Sequence, residues 1–423
     1  MSDTDAHHRD HDADVVVVGC GPVGVMASLR LAQRGLRVIA VDRTPDIYPL
    51  PRAIGMDDEI QRVFQNAGLI EQLRRHSTPL AGADFVDAAG ARVVGYDLPE
   101  GALGACGHPP MTMFNQPAVE AFLRDAAGDA GVDFRFGYEA VGVASGRTAT
   151  VQLQSGDGHS ELRSSWLLGA DGASSTIRKL CGLRLEDQGF DQPWLVVDVT
   201  VLDPDVSLPR VARQHCDPER VVTFVPGPAR HRRWEFRLHD QETRDEALEP
   251  GFIAGLLAPW GRVDQLRVDR AAVYRFHATV IDQFRHGSVF MAGDAAHQMP
   301  PFNGQGMCTG IRDVENLAWK LAAVWAGHAG DHLLDTYHTE RRPHAAGQVQ
   351  HSADAGRLID AIAAGVHVDT DAGYGGGRRF PHLESGVIDG DHPATGRQLP
   401  QPDVGGVPLD AHLGPGWALL STE

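Results

Sequence analysis

The sequence predicts an α/β protein in which a parallel sheet with covering helices is interrupted twice by β-rich insertions. The apolar, β-branched run at 15–18 is typical of a buried parallel strand, and a glycine-rich turn, a helical segment and a second apolar run at 36–41 follow it. Apolar residues recur at helical spacing over 307–321. In contrast, 79–104 and 188–275 contain short alternating stretches, which indicate antiparallel strands.

Length and charge exclude several classes of protein. The chain has 423 residues, more than one hydrophobic core supports, so we expect at least two domains. Its 38 Lys and Arg against 56 Asp and Glu give a net charge of −18, which disfavours nucleic acid and anionic membranes as partners. The five cysteines form no CxxC pair, so neither a disulfide framework nor a metal site is predicted. No apolar run reaches about 18 residues, and the polar start favours a cytoplasmic location.

The first chemical motif is Gly19-x-Gly21-x-x-Gly24, which lies between the first strand and a helix. In this context the first glycine permits a tight turn, the second lets the backbone approach a pyrophosphate, and the third permits close helix packing. Asp42 ends the second strand, where it can accept hydrogen bonds from an adenosine ribose and would repel a 2′-phosphate. Asp42 and the adjacent Arg43 complete this predicted dinucleotide site. By itself the motif does not distinguish FAD from NAD.

Two later motifs make that distinction. The first is the segment from Gly169 to Arg178, which contains Asp171-Gly172. The second consists of two stretches close together in the sequence, Gly293-Asp294-Ala295-Ala296-His297 and Pro300-Pro301-Phe302-Asn303-Gly304-Gln305-Gly306-Met307. With them the sequence resembles the class A flavoprotein aromatic hydroxylases, and within these the 3-(3-hydroxyphenyl)propionate hydroxylase group. The resemblance extends over residues 14–365, and further matches are Pro51-Arg52-Ala53-Ile54-Gly55, Asn115-Gln116-Pro117, Arg233-Trp234-Glu235-Phe236 and Glu340-Arg341-Arg342-Pro343.

The resemblance implies a Rossmann-like FAD-binding domain with an inserted mixed or antiparallel β-sheet domain for the substrate. Asp294 would bind a ribityl hydroxyl; the alternative role of an aspartate at such a position is a helix N-cap, which this motif disfavours. Backbone N–H groups at the start of the long helix would stabilise negative charge on reduced flavin. The implied cofactor-binding residues beyond the first motif are Arg52, Gln116, Asp171, Gly293, Asp294, Pro301, Gly304, Gln305, Gly306 and Met307, with Pro301, Gly304 and Gly306 at the reacting position. His297 is interpreted as structural.

The activity implied by the resemblance is that of an FAD-dependent monooxygenase that uses NADH or NADPH and O₂. Through a flavin C4a-hydroperoxide it would hydroxylate a small phenolic substrate, such as a 3-hydroxyphenylpropanoid acid, ortho to its hydroxyl. Arg213 and Arg237, on predicted strands of the insertion, are candidates for holding a substrate carboxylate. Two alternatives stay open: epoxidation or Baeyer–Villiger insertion on a polyketide-like ring, and a flavin-binding protein without oxygenase turnover. A homodimer is also left open.

The predicted domain organisation follows from these segments. We expect a disordered tail at 1–13; an FAD-binding domain formed by 14–78, 105–187 and 276–365; a substrate domain formed by 79–104 and 188–275; and a linker with an incomplete thioredoxin-like segment at 366–423. Within this last segment, 396–402 and 409–414 resemble the opening of such a domain. The apolar run at 417–420 is interpreted as strand-like.

Overall fold

A computed structural model describes residues 11–49, 52–156, 158–368, 381–390, 392–414 and 416–420. Most of the predicted tail, residues 1–10, lies outside this range. The strands are β1 (Ala13–Val18), β2 (Val38–Asp42), β3 (Gly55–Asp57), β4 (Ser77–Pro79), β5 (Gly82–Asp87), β6 (Arg92–Asp97), β7 (Met111–Phe114), β8 (Asp133–Phe136), β9 (Glu139–Ser145), β10 (Ala149–Ser155), β11 (Gly158–Gly169), β12 (Leu185–Val201), β13 (Ala212–Cys216), β14 (Val222–Pro226), β15 (His231–Arg237), β16 (Leu266–Ile281), β17 (Arg285–His286), β18 (Val289–Met291), β19 (His297–Gln298), β20 (Asp403–Val404) and β21 (Val407–Pro408). The helices are α1 (Pro22–Ala32), α2 (Asp58–Asn66), α3 (Ile70–Arg75), α4 (Gln116–Asp129), α5 (Thr176–Leu180), α6 (Arg244–Ala247), α7 (Pro250–Leu257), α8 (Gly306–Trp325), α9 (His332–Ala363) and α10 (Leu409–Leu413). None of the helices in these ranges combines the length and apolarity needed to cross a membrane.

The first sheet has the order β17-β18-β11-β1-β2-β8, with β10 and β9 continuing from β11. Strand β1 pairs in parallel with both β2 and β11, which explains why all six of its residues are buried. Helices α1, α4 and α8 pack together beside it, and their apolar faces join one continuous core with the strands. Strands β18, β11, β1, β2 and β8 form the predicted parallel sheet with covering helices, whereas β17, β10 and β9 extend it by antiparallel pairing. The α/β prediction is confirmed.

The second sheet has the order β19-β16-β12-β15-β14-β13-β5-β6 and is antiparallel except for the β13–β5 pair. Most of its strands come from the two segments that the sequence marks as β-rich. Strands β12 and β16 extend past the predicted limits of 188 and 275, since Leu185 still pairs with Ile281. On β15, Trp234 and Phe236 point into a core shared with α6 and α7, so Arg233 and Glu235 occupy the opposite face.

A buried carboxylate, Asp198 on β12, joins three strands of this sheet. It is 1% exposed and accepts hydrogen bonds from Arg233 Nε at 2.8 Å and Arg270 Nη1 at 3.0 Å. His231 Nε2 lies 2.9 Å from Asp198 Oδ1, the oxygen that also accepts from Arg233 Nε. Burial alone would raise the pKa of Asp198, but the bonds from His231 and Arg233 outweigh it and lower the pKa to about 2. The side chain is therefore an anion that holds β12, β15 and β16 together.

The C-terminal part of the described chain corrects one expectation. Residues 417–420, interpreted above as strand-like, form no strand. Trp417 and Leu419 are 82% and 97% exposed, and Trp417 contacts the edge of Trp319 on α8. Apolar sequence makes a strand only where a neighbouring strand supplies hydrogen bonds, and no neighbouring strand pairs with this segment in the described residues.

Replacing the buried carboxylate by its neutral amide tests the role of Asp198. We expect Asp198→Asn to lower the free energy of unfolding by about 3–5 kcal/mol, because the two buried guanidinium groups of Arg233 and Arg270 lose the carboxylate to which they are hydrogen-bonded. The matched control is Asp269→Asn, which removes the exposed ion pair with Arg267 and should cost less than about 1 kcal/mol. Urea unfolding of both variants measures the difference, and equal losses would contradict the role given to Asp198.

Candidate active site

A cavity of about 920 Å³ is lined by residues of both sheets. One end is bounded by the glycine turn after β1 and by the end of β2. The other end is bounded by an apolar cluster, here called the apolar wall, that consists of Ile54, Leu80, Met111, Met113, Ala212 and Val225. The cavity is large enough for a cofactor and a small substrate together.

The glycine turn is shaped by backbone contacts that leave no room for most side chains. Gly19 has φ +105°, and a Cβ there would lie 2.4 Å from the carbonyl oxygen of Ala170. A Cβ on Gly24 would lie 1.8 Å from the Gly19 carbonyl oxygen, so α1 packs directly on the turn. A Cβ on Gly21 would meet nothing within 4 Å, because this residue faces the cavity. The turn and the start of α1 thus form an open cradle suited to an anion.

The end of β2 supplies a carboxylate that is fixed in place. Asp42 Oδ2 accepts a hydrogen bond from Cys20 N at 2.7 Å, and Oδ1 accepts one from Thr44 N at 2.8 Å. A carboxylate has about four acceptor positions, so Asp42 keeps capacity for a hydroxyl donor on the cavity side. Arg43 and Arg124 line the same end and provide positive charge near the cradle.

The loop that carries Arg52 is held from two directions. Gln116 Oε1, at the start of α4, accepts hydrogen bonds from Arg52 N at 2.8 Å and Ala53 N at 2.6 Å. From the second sheet, Arg233 Nη1 donates to the Arg52 carbonyl oxygen at 2.6 Å. The Arg52 guanidinium itself is exposed and lies 5.2 Å from the centre of the Tyr48 ring. The oxygen of Gln116 is thus committed to the loop, while the Arg52 side chain lines the cavity.

The Gly293–Asp294 turn presents a carboxylate to the cavity. Gly293 has φ +61°, and its N–H donates to Asp313 Oδ2 at 3.1 Å. The same oxygen lies 2.7 Å from Nε2 of the fully buried His297, which fits the structural interpretation of this histidine. Asp294 is exposed to the cavity, yet the surrounding walls desolvate it and raise its pKa, with His297 and Arg52 opposing the shift. Such a group favours a ligand that donates hydrogen bonds.

The segment between Pro301 and Met307 lies between the cradle and the apolar wall. Gly304 adopts the left-handed conformation, with φ +63°, immediately before α8 begins. Gln305 is buried, and its Oε1 accepts a hydrogen bond from Arg312 Nη1 at 3.0 Å. Its Nε2 has no hydrogen-bond partner within the described part of the chain. A Cβ on Gly306 would lie 4.0 Å from Asp294 Oδ1, so the two motifs meet at this point.

The Asp171 segment is held mainly by its own helix start. The Asp171 carboxylate accepts hydrogen bonds from Ser175 Oγ at 2.5 Å and Thr176 N at 2.6 Å, which caps α5. Arg178 forms no ion pair with any described residue; it donates to the carbonyl oxygens of Ala295 at 3.0 Å and Ala173 at 2.8 Å. The segment lines the cavity, and Arg178 fixes its position relative to the Gly293 turn.

The second sheet contributes two charged residues that sequence reasoning did not assign to the site. Arg233 and Glu235 on β15 both line the cavity, beside Thr223 and Val225 of β14. Glu235 is 4% exposed; burial raises its pKa to about 7, with Arg233 and Arg270 lowering it and Asp198 raising it. The alternation in Arg233-Trp234-Glu235-Phe236 was the available signal, since it places both charges on the face opposite the tryptophan.

The two arginines predicted to hold a substrate carboxylate lie outside the cavity lining. Arg213 follows the cavity-lining Ala212 on β13, so its side chain points to the opposite face of the sheet. There it pairs with Asp84 of β5 at 3.3 Å. Arg237 follows Glu235 on the same face of β15 and pairs with Asp360 of α9. Neither arginine lines the cavity, because the face of a strand and the position along it determine which side chains reach the cavity. Arg233 and Glu235 are the charged side chains of β15 that do line it.

The residues present fit FAD. The open cradle at Gly21 suits a pyrophosphate, and Asp42 suits an adenosine ribose. At the other side of the cavity, Asp294, Arg52 and the unpaired amide of Gln305 offer polar groups for a flavin and its ribityl chain. An orphaned buried amide such as Gln305 Nε2 is costly, and a flavin oxygen would satisfy it.

Comparison with known proteins decides the family. The family model for the FAD binding domain matches residues 12–352. The chain belongs to the FAD-binding domain family. The expectation of FAD as cofactor is confirmed, and so is the fold class, because a solved complex of aklavinone-11 hydroxylase with FAD and aklavinone superposes with a TM-score of 0.78 at 26% identity, covering 93% of this chain and 78% of that one.

Two curated relatives of this FAD-binding domain protein have names that describe aromatic hydroxylases. A 3-(3-hydroxy-phenyl)propionate/3-hydroxycinnamic acid hydroxylase of Mycobacterium avium is 38% identical over 83% of this chain. A probable NADH-specific resorcinol 4-hydroxylase of Rhodococcus jostii is 34% identical over 89% of this chain and 72% of its own length. The chain spans 62% of the Mycobacterium avium relative.

Two glycine substitutions separate folding from cofactor binding. Gly21→Ala adds a methyl group that meets no protein atom, so we expect a normally folded protein whose affinity for FAD falls at least 10-fold, because the methyl group occupies the anion cradle. Gly24→Ala forces α1 away from the Gly19 carbonyl oxygen, so we expect a loss of about 2 kcal/mol or more in the free energy of unfolding. Thermal unfolding of the apoproteins and FAD titration test both. Unchanged FAD affinity in Gly21→Ala would contradict the cradle.

Proposed function

We propose that the protein is an FAD-dependent monooxygenase that hydroxylates a phenol, with NADH or NADPH as reductant and O₂ as the second substrate. One observation carries this proposal: a single cavity joins a dinucleotide cradle to an apolar wall, and the buried carboxyl group of Glu235 lines the cavity beside that wall. A cofactor and a flat apolar substrate can therefore meet away from bulk water.

In this proposal the cofactor supplies the redox chemistry, and the protein binds the cofactor and the substrate. Bound FAD supplies hydride acceptance from the nicotinamide and the activation of O₂. Gly21, Asp42 and Asp294 would bind the cofactor. The start of α8, with Gly304 and Gly306, offers N–H groups for negative charge. The apolar wall would hold the aromatic ring and exclude water from the reacting position.

The substrate class is narrowed by the names of the relatives. Both 3-(3-hydroxyphenyl)propionate and resorcinol are phenols with a second substituent meta to the hydroxyl. We therefore propose a meta-substituted phenol, hydroxylated ortho to its hydroxyl group. Arg233, the arginine of the second sheet that lines the cavity, is already bonded to Asp198. We therefore expect that a substrate carboxylate is not required, and that the enzyme hydroxylates both resorcinol and 3-(3-hydroxyphenyl)propionate.

A phenol screen with the purified holoenzyme tests this function. We expect a yellow protein that releases FAD on denaturation, oxidises NADH slowly alone, and oxidises it much faster with resorcinol or 3-(3-hydroxyphenyl)propionate. Oxygen should be consumed in proportion to NADH, and mass spectrometry should show one added oxygen atom on the ring. A reaction that yields only hydrogen peroxide with every phenol would contradict the hydroxylase function and favour a flavoprotein without oxygenase turnover.

Removal of the Asp294 carboxylate should weaken FAD retention. Asp294→Ala deletes a charge-assisted hydrogen bond of about 1.5–3 kcal/mol, which corresponds to a roughly 10- to 100-fold rise in the Kd for FAD. Asp125→Ala, on the exposed face of α4, is the matched control and should bind FAD like the parent. Fluorescence titration of the apoproteins measures both constants. Equal affinities would show that Asp294 does not contact the cofactor.

A further inference from the structure

The second sheet places one carboxyl group on the cavity surface without a hydrogen-bond partner. Glu235 lines the cavity and is 4% exposed. Within the described residues, no hydrogen bond reaches its carboxylate, whereas the nearby carboxylate of Asp198 has three partners. Burying a carboxyl group without a hydrogen bond is energetically unfavourable. The presence of Glu235 at this position therefore indicates a ligand that forms a hydrogen bond with it.

The neighbourhood of Glu235 identifies the chemistry of that ligand. On β14 the register partner is Thr223, whose hydroxyl is already bonded to Gln214 Oε1 at 2.6 Å. Val225, beside it, belongs to the apolar wall. A ligand that lies on this surface is therefore an apolar ring that presents a hydrogen-bond donor to one carboxyl group. A phenol has this form.

We propose that Glu235 accepts the hydroxyl proton of the phenolic substrate, and this inference rests on the proposed function. The phenol O–H bond breaks, its electron pair stays on the phenol oxygen, and the proton bonds to a Glu235 carboxylate oxygen. The resulting phenolate raises the electron density at the ring carbons ortho to it, which is where the hydroxyl group is added. Glu235 is thus a catalytic residue for substrate activation.

The electrostatic surroundings suit this proton transfer. The charged groups that act on Glu235 are Arg233 on its own strand, Asp198 on β12 and Arg270 on β16. With two arginines and one aspartate, they favour the phenolate that forms beside them. From other elements, Asp58, Tyr96 and His351 also face the cavity. Burial raises the pKa of Glu235 to about 7, so the carboxylate form is gained as the pH rises through neutrality, which is the range in which a general base works best.

The test compares the holoenzyme of the parent with Glu235→Gln, and uses Glu219→Gln as the matched control because Glu219 is exposed in the turn between β13 and β14. Resorcinol is the probe. We expect hydroxylation by the parent to rise with pH through about 7, and Glu235→Gln to lose this pH dependence and about 100-fold or more of the rate. FAD affinity and the dissociation constant of resorcinol should stay within a few-fold of the parent. Glu219→Gln should match the parent throughout.

A second measurement does not depend on turnover. Ultraviolet difference spectra of resorcinol bound to oxidised holoenzyme, without NADH, distinguish phenol from phenolate. We expect a phenolate contribution that grows through about pH 7 in the parent and is absent in Glu235→Gln. Should that variant not fold, Glu235→Asp, which moves the carboxylate back by one methylene, should lower both signals.

The outcomes separate the two proposals. Hydroxylation by Glu235→Gln at the parental rate and with the parental pH profile would overturn the role of Glu235 and leave the hydroxylase function intact. A parent rate that does not change with pH around neutrality would overturn it as well. A parent enzyme that hydroxylates no phenol would overturn the proposed function itself.

Discussion

The candidate site depends on the burial of one ion, Asp198, inside the second sheet. A carboxylate in this position is tolerated only because Arg233, Arg270 and His231 surround it. Arg233 has a further bond, to the Arg52 carbonyl oxygen. The same guanidinium therefore connects the second sheet to the loop that carries Arg52, which lines the cavity.

The cavity belongs to neither sheet alone. The parallel sheet provides backbone geometry: a positive φ at Gly19, a helix packed on the turn at Gly24, and a carboxylate at the end of β2. The second sheet contributes Arg233 and Glu235 as its charged cavity-lining groups, beside the apolar Ala212 and Val225. Met111 and Met113 of the apolar wall come from β7, which belongs to a separate small sheet with β3 and β4. Under the proposed function, main-chain shape would bind the cofactor, whereas side chains on strands, which can change without altering the fold, would bind the substrate.

Local patterns predicted much of the structure, and long-range contacts account for what they missed. The strand at 15–18, the glycine turn and the long helix after Met307 follow from periodicity and from the steric needs of glycine. On β15, the alternation of apolar and charged residues agrees with the observed faces, because Trp234 and Phe236 lie in the core and Arg233 and Glu235 line the cavity. It could not predict that Arg213 pairs with Asp84, or that Arg233 finds Asp198 35 residues away, because such partners depend on strand register. Residues 417–420 form no strand for a related reason: the apolar pattern is present, but none of the described strands pairs with it.

The central claim is that one cavity holds FAD at the glycine cradle and a phenol against the second sheet. A crystal structure of the oxidised holoenzyme with resorcinol tests it most directly. The account predicts the FAD pyrophosphate at Gly21, the flavin beside Asp294 and Gly306, and the resorcinol oxygen within hydrogen-bond distance of the Glu235 carboxylate. A resorcinol molecule bound elsewhere, with the Glu235 carboxylate contacting only water, would contradict it.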